Sequence, residues 1–148
     1  MIPKELYKQI LAVIPIVCID IVIRNVKGQY LLVKRKNEPL KGDWWVVGGR
    51  VLQGETLSNA CIRKILEEIG LTITELNFLG VYEDLFDKNA FEVPGPYHTI
   101  SIVFEAHIKK DQIIQLDSQH SDWGWFDNLP DRFVYVIPTH DSVLRTDT

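Results

Sequence analysis

Gly49-Arg-Val-Leu-Gln-Gly-Glu55-Thr-Leu-Ser-Asn-Ala-Cys-Ile-Arg63-Lys-Ile-Leu-Glu67-Glu68-Ile-Gly70-Leu71 is the stretch whose reading decides the fold. Its second half is a helix by pattern. Leu57, Cys61, Ile65 and Ile69 recur every four residues and form one apolar row. Thr56 has the hydroxyl that caps a helix start, and Gly70 suits the left-handed position after its end. Arg63, Lys64 and Glu67 fall on the polar face, while Glu68 lies at the edge of the apolar arc. Before the helix, Gly48 and Gly49 end a short apolar run, Trp44 to Val47, and their missing side chains permit a turn and the close approach of a ligand.

Working outward, Ile16 to Arg24 and Tyr30 to Lys34 are rich in Ile, Val and Leu and are joined by a turn at Asn25 to Gly28, which predicts a hairpin. Leu76 to Tyr82, Thr99 to His107 and Trp123 to Phe126 are further strands. At the start, Pro3 followed by Leu6, Tyr7, Ile10 and Leu11 predicts a short amphipathic helix that Pro15 stops. Asp84 to Tyr97 mixes charge with Pro94, Gly95 and Pro96 and is expected to be a surface loop, in the manner of a lid. After Phe126 the signals weaken, and Pro130 and Pro138 leave room only for short helical pieces. With no repeat or linker, the chain is expected to be one α/β domain over residues 1–148, a mixed sheet between helices.

Composition removes several classes of function. The chain has 148 residues, 46% of them hydrophobic and 24% charged, which is ordinary for a globular protein and long enough for a real core. A net charge of −4 argues against nucleic acid or an anionic membrane as partner. The most apolar stretch, Ile10 to Ile23, is too short to span a bilayer and is broken by Pro15 and Asp20. The amino terminus lacks the pattern of a signal peptide. Cys18 and Cys61 sit in apolar patterns as core thiols, so a reducing cytoplasm is the expected location.

The adjacent carboxylates Glu67 and Glu68, beside a glycine turn with a free carbonyl, offer the hard oxygen ligands that magnesium prefers. Arg63 and Glu67 stand at i, i+4, so the arginine can orient that carboxylate. The whole stretch resembles the Nudix box, G-x5-E-x7-R-E-U-x-E-E-x-G-U with U aliphatic, and one fixed position departs from it: Lys64 stands where a glutamate is usual. The resemblance implies a Nudix fold and Mg2+, with Mn2+ as a substitute, held by Gly49, Glu68 and Glu67. Lysine, a donor without an acceptor, can neither ligate metal nor take a proton from water as that glutamate does in much of the family. Either activity is lost or the base lies elsewhere.

Asp117-Ser-Gln119-His120-Ser-Asp122-Trp-Gly-Trp125 is similar to a loop of one branch, the GDP-mannose mannosyl hydrolases, which also depart from the box at the Lys64 position. That resemblance implies that Gln119 is a magnesium ligand and His120 the general base. Arg50, directly after Gly49, is a third likeness. It further implies hydrolysis of GDP-mannose, or another GDP-hexose, to GDP and the free sugar by attack of water at C1 with inversion. A metal-bound nucleoside diphosphate leaves readily, so one base suffices. Arg35 and Arg50 are carried over as catalytic and substrate-binding residues, and Tyr7, Asp20, Arg63 and His98 as substrate-binding ones. A homodimer is implied too. Two alternatives stand beside this reading: an ordinary Nudix pyrophosphohydrolase cutting P–O–P, and a nucleotide-sugar-binding module without catalysis.

Overall fold

The computed structural model describes residues 2–37, 41–73, 75–86, 97–110 and 112–133. Helix α1, Lys4–Val13, ends where expected: Ile14 is extended, as a residue before proline prefers, and its N–H still bonds to Ile10 O. Helix α2, Leu57–Ile69, is capped at one end by Thr56, whose hydroxyl accepts from Asn59 N at 3.1 Å. At the other end Gly70 takes φ 71° and its N–H bonds to Leu66 O. Both ends were written in side-chain chemistry.

Strand β1, Ile16–Arg24, is the centre of a mixed sheet. It pairs in parallel with β6, Tyr97–His107, from Ile16↔Thr99 to Arg24↔His107. From Cys18 to Ile23 its residues are buried on both faces, the signature of a central strand. Ile19, Ile21 and Ile23 face α2 and pack with Ala60, Cys61, Ile65 and Ile69. Val22 packs on the opposite face with Leu32, Tyr82, Val103 and Phe133, and Cys18 joins Tyr7 and Ile16 beneath α1. Asp20 therefore interrupts an otherwise apolar face between Cys18 and Val22.

The expected hairpin of β1 with β2, Tyr30–Arg35, opens at once: the two pair only at Arg24↔Tyr30. Strand β4, Val47–Arg50, takes the free edge of β1 from Cys18↔Arg50 to Ile21↔Val47, and β2 turns to β3, Trp44–Trp45, and β7, His120–Phe126. An edge pairs with one neighbour at a time, so β4 splits the hairpin, and the opening becomes a cleft. The run Trp44 to Val47 is correspondingly two short strands, with Gly48 and Gly49 inside β4 rather than in a turn.

Strand β5, Asn77–Phe86, and β6 pair antiparallel out to Phe86↔Tyr97, so both are longer than the sequence suggests and the expected loop contracts to residues 87–96, which lie outside the described residues with the lid assigned to it. Of the short helical pieces expected after Phe126, none forms over residues 127–133, which hold a bend and a turn, and the rest of that stretch lies outside the described residues. No helix among the described residues is long and apolar enough to cross a membrane.

Candidate active site in the split hairpin

The Gly48-Gly49 step forms the floor of the cleft, and each glycine is required for a separate reason. A Cβ on Gly48 would lie 2.4 Å from Ile19 O and 2.5 Å from Asp20 Oδ1, so only glycine lets β4 pass the Asp20 carboxyl. Gly49 has φ 155°, and a Cβ there would meet Lys64 Cε at 2.7 Å. The lysine stem thus crosses the strand where a side chain is missing.

Helix α2 brings two charged groups, Lys64 and Glu68, to this step. Glu68, at the edge of the apolar arc, is 5% exposed, and Lys64 Nζ lies 3.0 Å from its Oε1. Burial raises the Glu68 carboxyl above its ordinary range, against the pull of Lys64 and His120. Glu67 remains half-exposed outside the cleft, between Arg63 at 3.2 Å and Lys64 at 3.7 Å. Arg63 is gripped by Glu55, with Nε 2.6 Å from Oε2 and Nη2 2.9 Å from Oε1, and also donates to Arg50 O. The fork of bonds from Arg63 holds Glu55 down at about 2. The i, i+4 pairing with Glu67 exists, but Glu55 is the stronger partner, and Arg63 braces the strand that carries Arg50.

The end of α2 anchors the distant loop. Gln115 N bonds to Ile69 O and Asp117 N to Glu68 O, carrying Asp117 and His120 to the Glu68 side of the cleft. His120 begins β7 opposite Arg35, at a register shift of the pair with β2. It is 5% exposed, and its Nδ1 lies 2.8 Å from Asp117 Oδ1. One ligand atom each from Glu68, Asp117 and His120 fall within 4.8 Å of one another. Gln119 accepts from Asn37 Nδ2 through its Oε1, and its backbone oxygen accepts from Lys36 N.

The cleft has a volume of about 310 Å³, and Asp20, Arg35, Gly49, Arg50, Glu68, Gln119 and His120 all line it. Tyr7 stands behind that lining: the Arg50 guanidinium lies 4.3 Å from its ring centroid, and its hydroxyl is 3.2 Å from that of Tyr97. Among the described residues, Nη1 of Arg50 is buried with no hydrogen-bond partner. His98 is not in the lining and pairs with Glu83 at 3.1 Å. Asp20 is pushed up to about 7 by burial and by the carboxylates of Asp84 and Glu68, against Arg35 and a hydrogen bond from Ser101.

Sequence reasoning missed Asn37, Asp84, Tyr97, Ser101 and Asp117. Asp117 alone carried a signal, standing three residues before His120; Asp84, Tyr97 and Ser101 reach the cleft on the paired strands β5 and β6, and Asn37 in the bend after β2. The assembled groups can bind an anion at Arg35 and Arg50, a cation at Glu68, and hold an oriented imidazole between them.

A family-wide sequence profile described as the NUDIX domain matches residues 15–128. The chain is 36% identical over 126 residues to the low-salt glycan biosynthesis protein Agl8 of Haloferax volcanii, covering 85% of this chain and 80% of that protein. It is 40% identical over 128 residues to an ADP-ribose pyrophosphatase of Methanocaldococcus jannaschii, covering 86% and 72%. Among solved structures, a MutT NUDIX hydrolase from Burkholderia pseudomallei superposes with a TM-score of 0.65 at 30% identity, over 79% of this chain and 88% of that one.

Proposed function

Because the chain belongs to the Nudix family of hydrolases, we propose that it hydrolyses a GDP-hexose, GDP-mannose foremost, to GDP and the free sugar. The observation that carries this reading is the buried His120, paired with Asp117 beside Glu68, in a cleft where Lys64 has replaced the usual acid. His120, oriented through Nδ1 by Asp117, takes a proton from water as its oxygen attacks C1. The C1–O bond breaks with its electron pair going to the departing GDP, and the configuration at C1 inverts. A positioned base of this kind contributes roughly a hundredfold to ten-thousandfold.

Arg35 and Arg50 receive the diphosphate, and the partnerless Nη1 of Arg50 is a donor ready for an anionic oxygen. Asp20, near neutral pH, offers either an acceptor or a proton to a sugar hydroxyl. The donor set can take a divalent ion, since the buried Glu68 carboxylate has a carboxylate oxygen of Asp117 and a ring nitrogen of His120 within 4.8 Å. Glu68, the Gly49 carbonyl and the Gln119 amide would hold Mg2+ or Mn2+, with Asp117 alongside and Glu67 outside. The ion held there would supply positive charge to the leaving diphosphate. The same reading includes a homodimer, a single catalytic domain over residues 1–148 and action in the cytoplasm.

A relative named for glycan biosynthesis supports a sugar-bearing substrate, whereas the likeness to an ADP-ribose pyrophosphatase favours a second reading, cleavage of P–O–P in a nucleoside diphosphate derivative. Incubation with GDP-mannose and Mg2+ in 18O-water separates them. GDP and mannose, with the label in mannose alone, are expected; GMP and mannose 1-phosphate would overturn attack at carbon in favour of attack at phosphorus.

A further inference from the structure

Lys64 does more than leave the box short of an acid. Its ammonium reaches into the cleft, 3.0 Å from Glu68 and 3.7 Å from Glu67, and the side chain is 18% exposed. The stem gets there by crossing Gly49, which cannot carry a Cβ without meeting Lys64 Cε at 2.7 Å. The bare backbone of Gly49 leaves the space in which the lysine stem lies, and the ion pair holds the ammonium at the carboxylate best placed to bind metal.

We infer that Lys64 is a tethered counter-ion of the metal platform: it neutralises Glu68 while no divalent ion is bound, competes with that ion for the same carboxylate, and so holds the metal affinity down. A buried carboxylate without a partner is costly, so the ammonium keeps the platform assembled without metal. A divalent ion drawn to Glu68 must separate this ion pair and then tolerate a positive charge nearby, in a site where charges are poorly screened. Both effects act in the same direction. Lys64 is thus a positioning residue, acting through Glu68, and the inference rests on the reading of Glu68 as a metal ligand.

The test is Mn2+ binding, followed by electron paramagnetic resonance of the free ion, for the wild-type chain and for K64M, K64R and E68Q, with circular dichroism to confirm folding. K64M, similar in length but uncharged, is expected to bind Mn2+ at least ten times more tightly than wild type. K64R restores the cation and should return the affinity to near the wild-type value. Equal or weaker binding by K64M, or equal tightening by K64R, would overturn the inference alone. Failure of every protein to bind Mn2+, or unchanged binding by E68Q, would overturn the metal reading and the inference together.

Discussion

Replacing Asp20 with asparagine should make the protein more stable at pH 8 and leave it nearly unchanged in strong acid. Asp20 is 7% exposed, and its pKa rises from 3.8 to about 7 because burial and the carboxylates of Asp84 and Glu68 disfavour its charge. The folded state therefore holds a proton that the unfolded state has already released between those two values. With more protons bound in the folded state, stability falls as pH rises through this window and levels off above about 7. A rise of about 3 in pKa corresponds to about 4 kcal/mol between the two plateaus, at 1.36 kcal/mol for each tenfold change. Between pH 5 and pH 8 about 2.5 kcal/mol of that loss remains, since pH 5 already lies above the unfolded value. Asparagine has no charge to lose, so the advantage of D20N over wild type should grow by about 2.5 kcal/mol over this range. Urea unfolding of both proteins at half-unit pH intervals measures it, and the difference cancels the titrating groups that are not coupled to Asp20. A difference that stayed constant from pH 5 to pH 8 would refute the reasoning and would mean that Asp20 is charged and well paired when folded.

His120→Gln should lower turnover of GDP-mannose by roughly a hundredfold to ten-thousandfold with little change in KM, and Asp117→Asn, which keeps the shape but loses the charged acceptor 2.8 Å from Nδ1, by roughly tenfold to a hundredfold. Steady-state kinetics decides, and an H120Q variant of near wild-type rate would remove His120 from the base role. Gly48→Ala should cost about 3 kcal/mol, because the added carbon would lie 2.4 Å from the Ile19 carbonyl, which the pairing of β1 and β4 holds in place. Thermal melting should show a fall of about 10 °C; an unchanged midpoint would mean that β4 can move away freely.

Helix α2 was legible because its cap, apolar row and terminal glycine are all local, and local chemistry survives without knowledge of the rest of the chain. Glu68 at the edge of the apolar arc, Lys64 in place of an acid, and the Gln119-His120 pair were equally open to reading. The longer reach of β5 and β6 was not, since charged and aromatic residues such as Asp84 and Tyr97 look like loop until a partner strand supplies their hydrogen bonds.

The sequence by itself determined which chemistry the chain could carry: a carboxylate helix beside two glycines, a distant histidine, and arginines for an anion. Only the tertiary structure decided where those groups meet. The insertion of β4 between β1 and β2, a matter of which edge each strand's backbone pairs with, opens the cleft. Two backbone bonds from the loop at Gln115 and Asp117 to the end of α2 then bring His120 to Glu68. Arg63 and Glu67 were written into the same helix as the rest, yet the fold turns them to Glu55, Arg50 O and the outer face, because a helix has a circumference and only part of it can face the cleft.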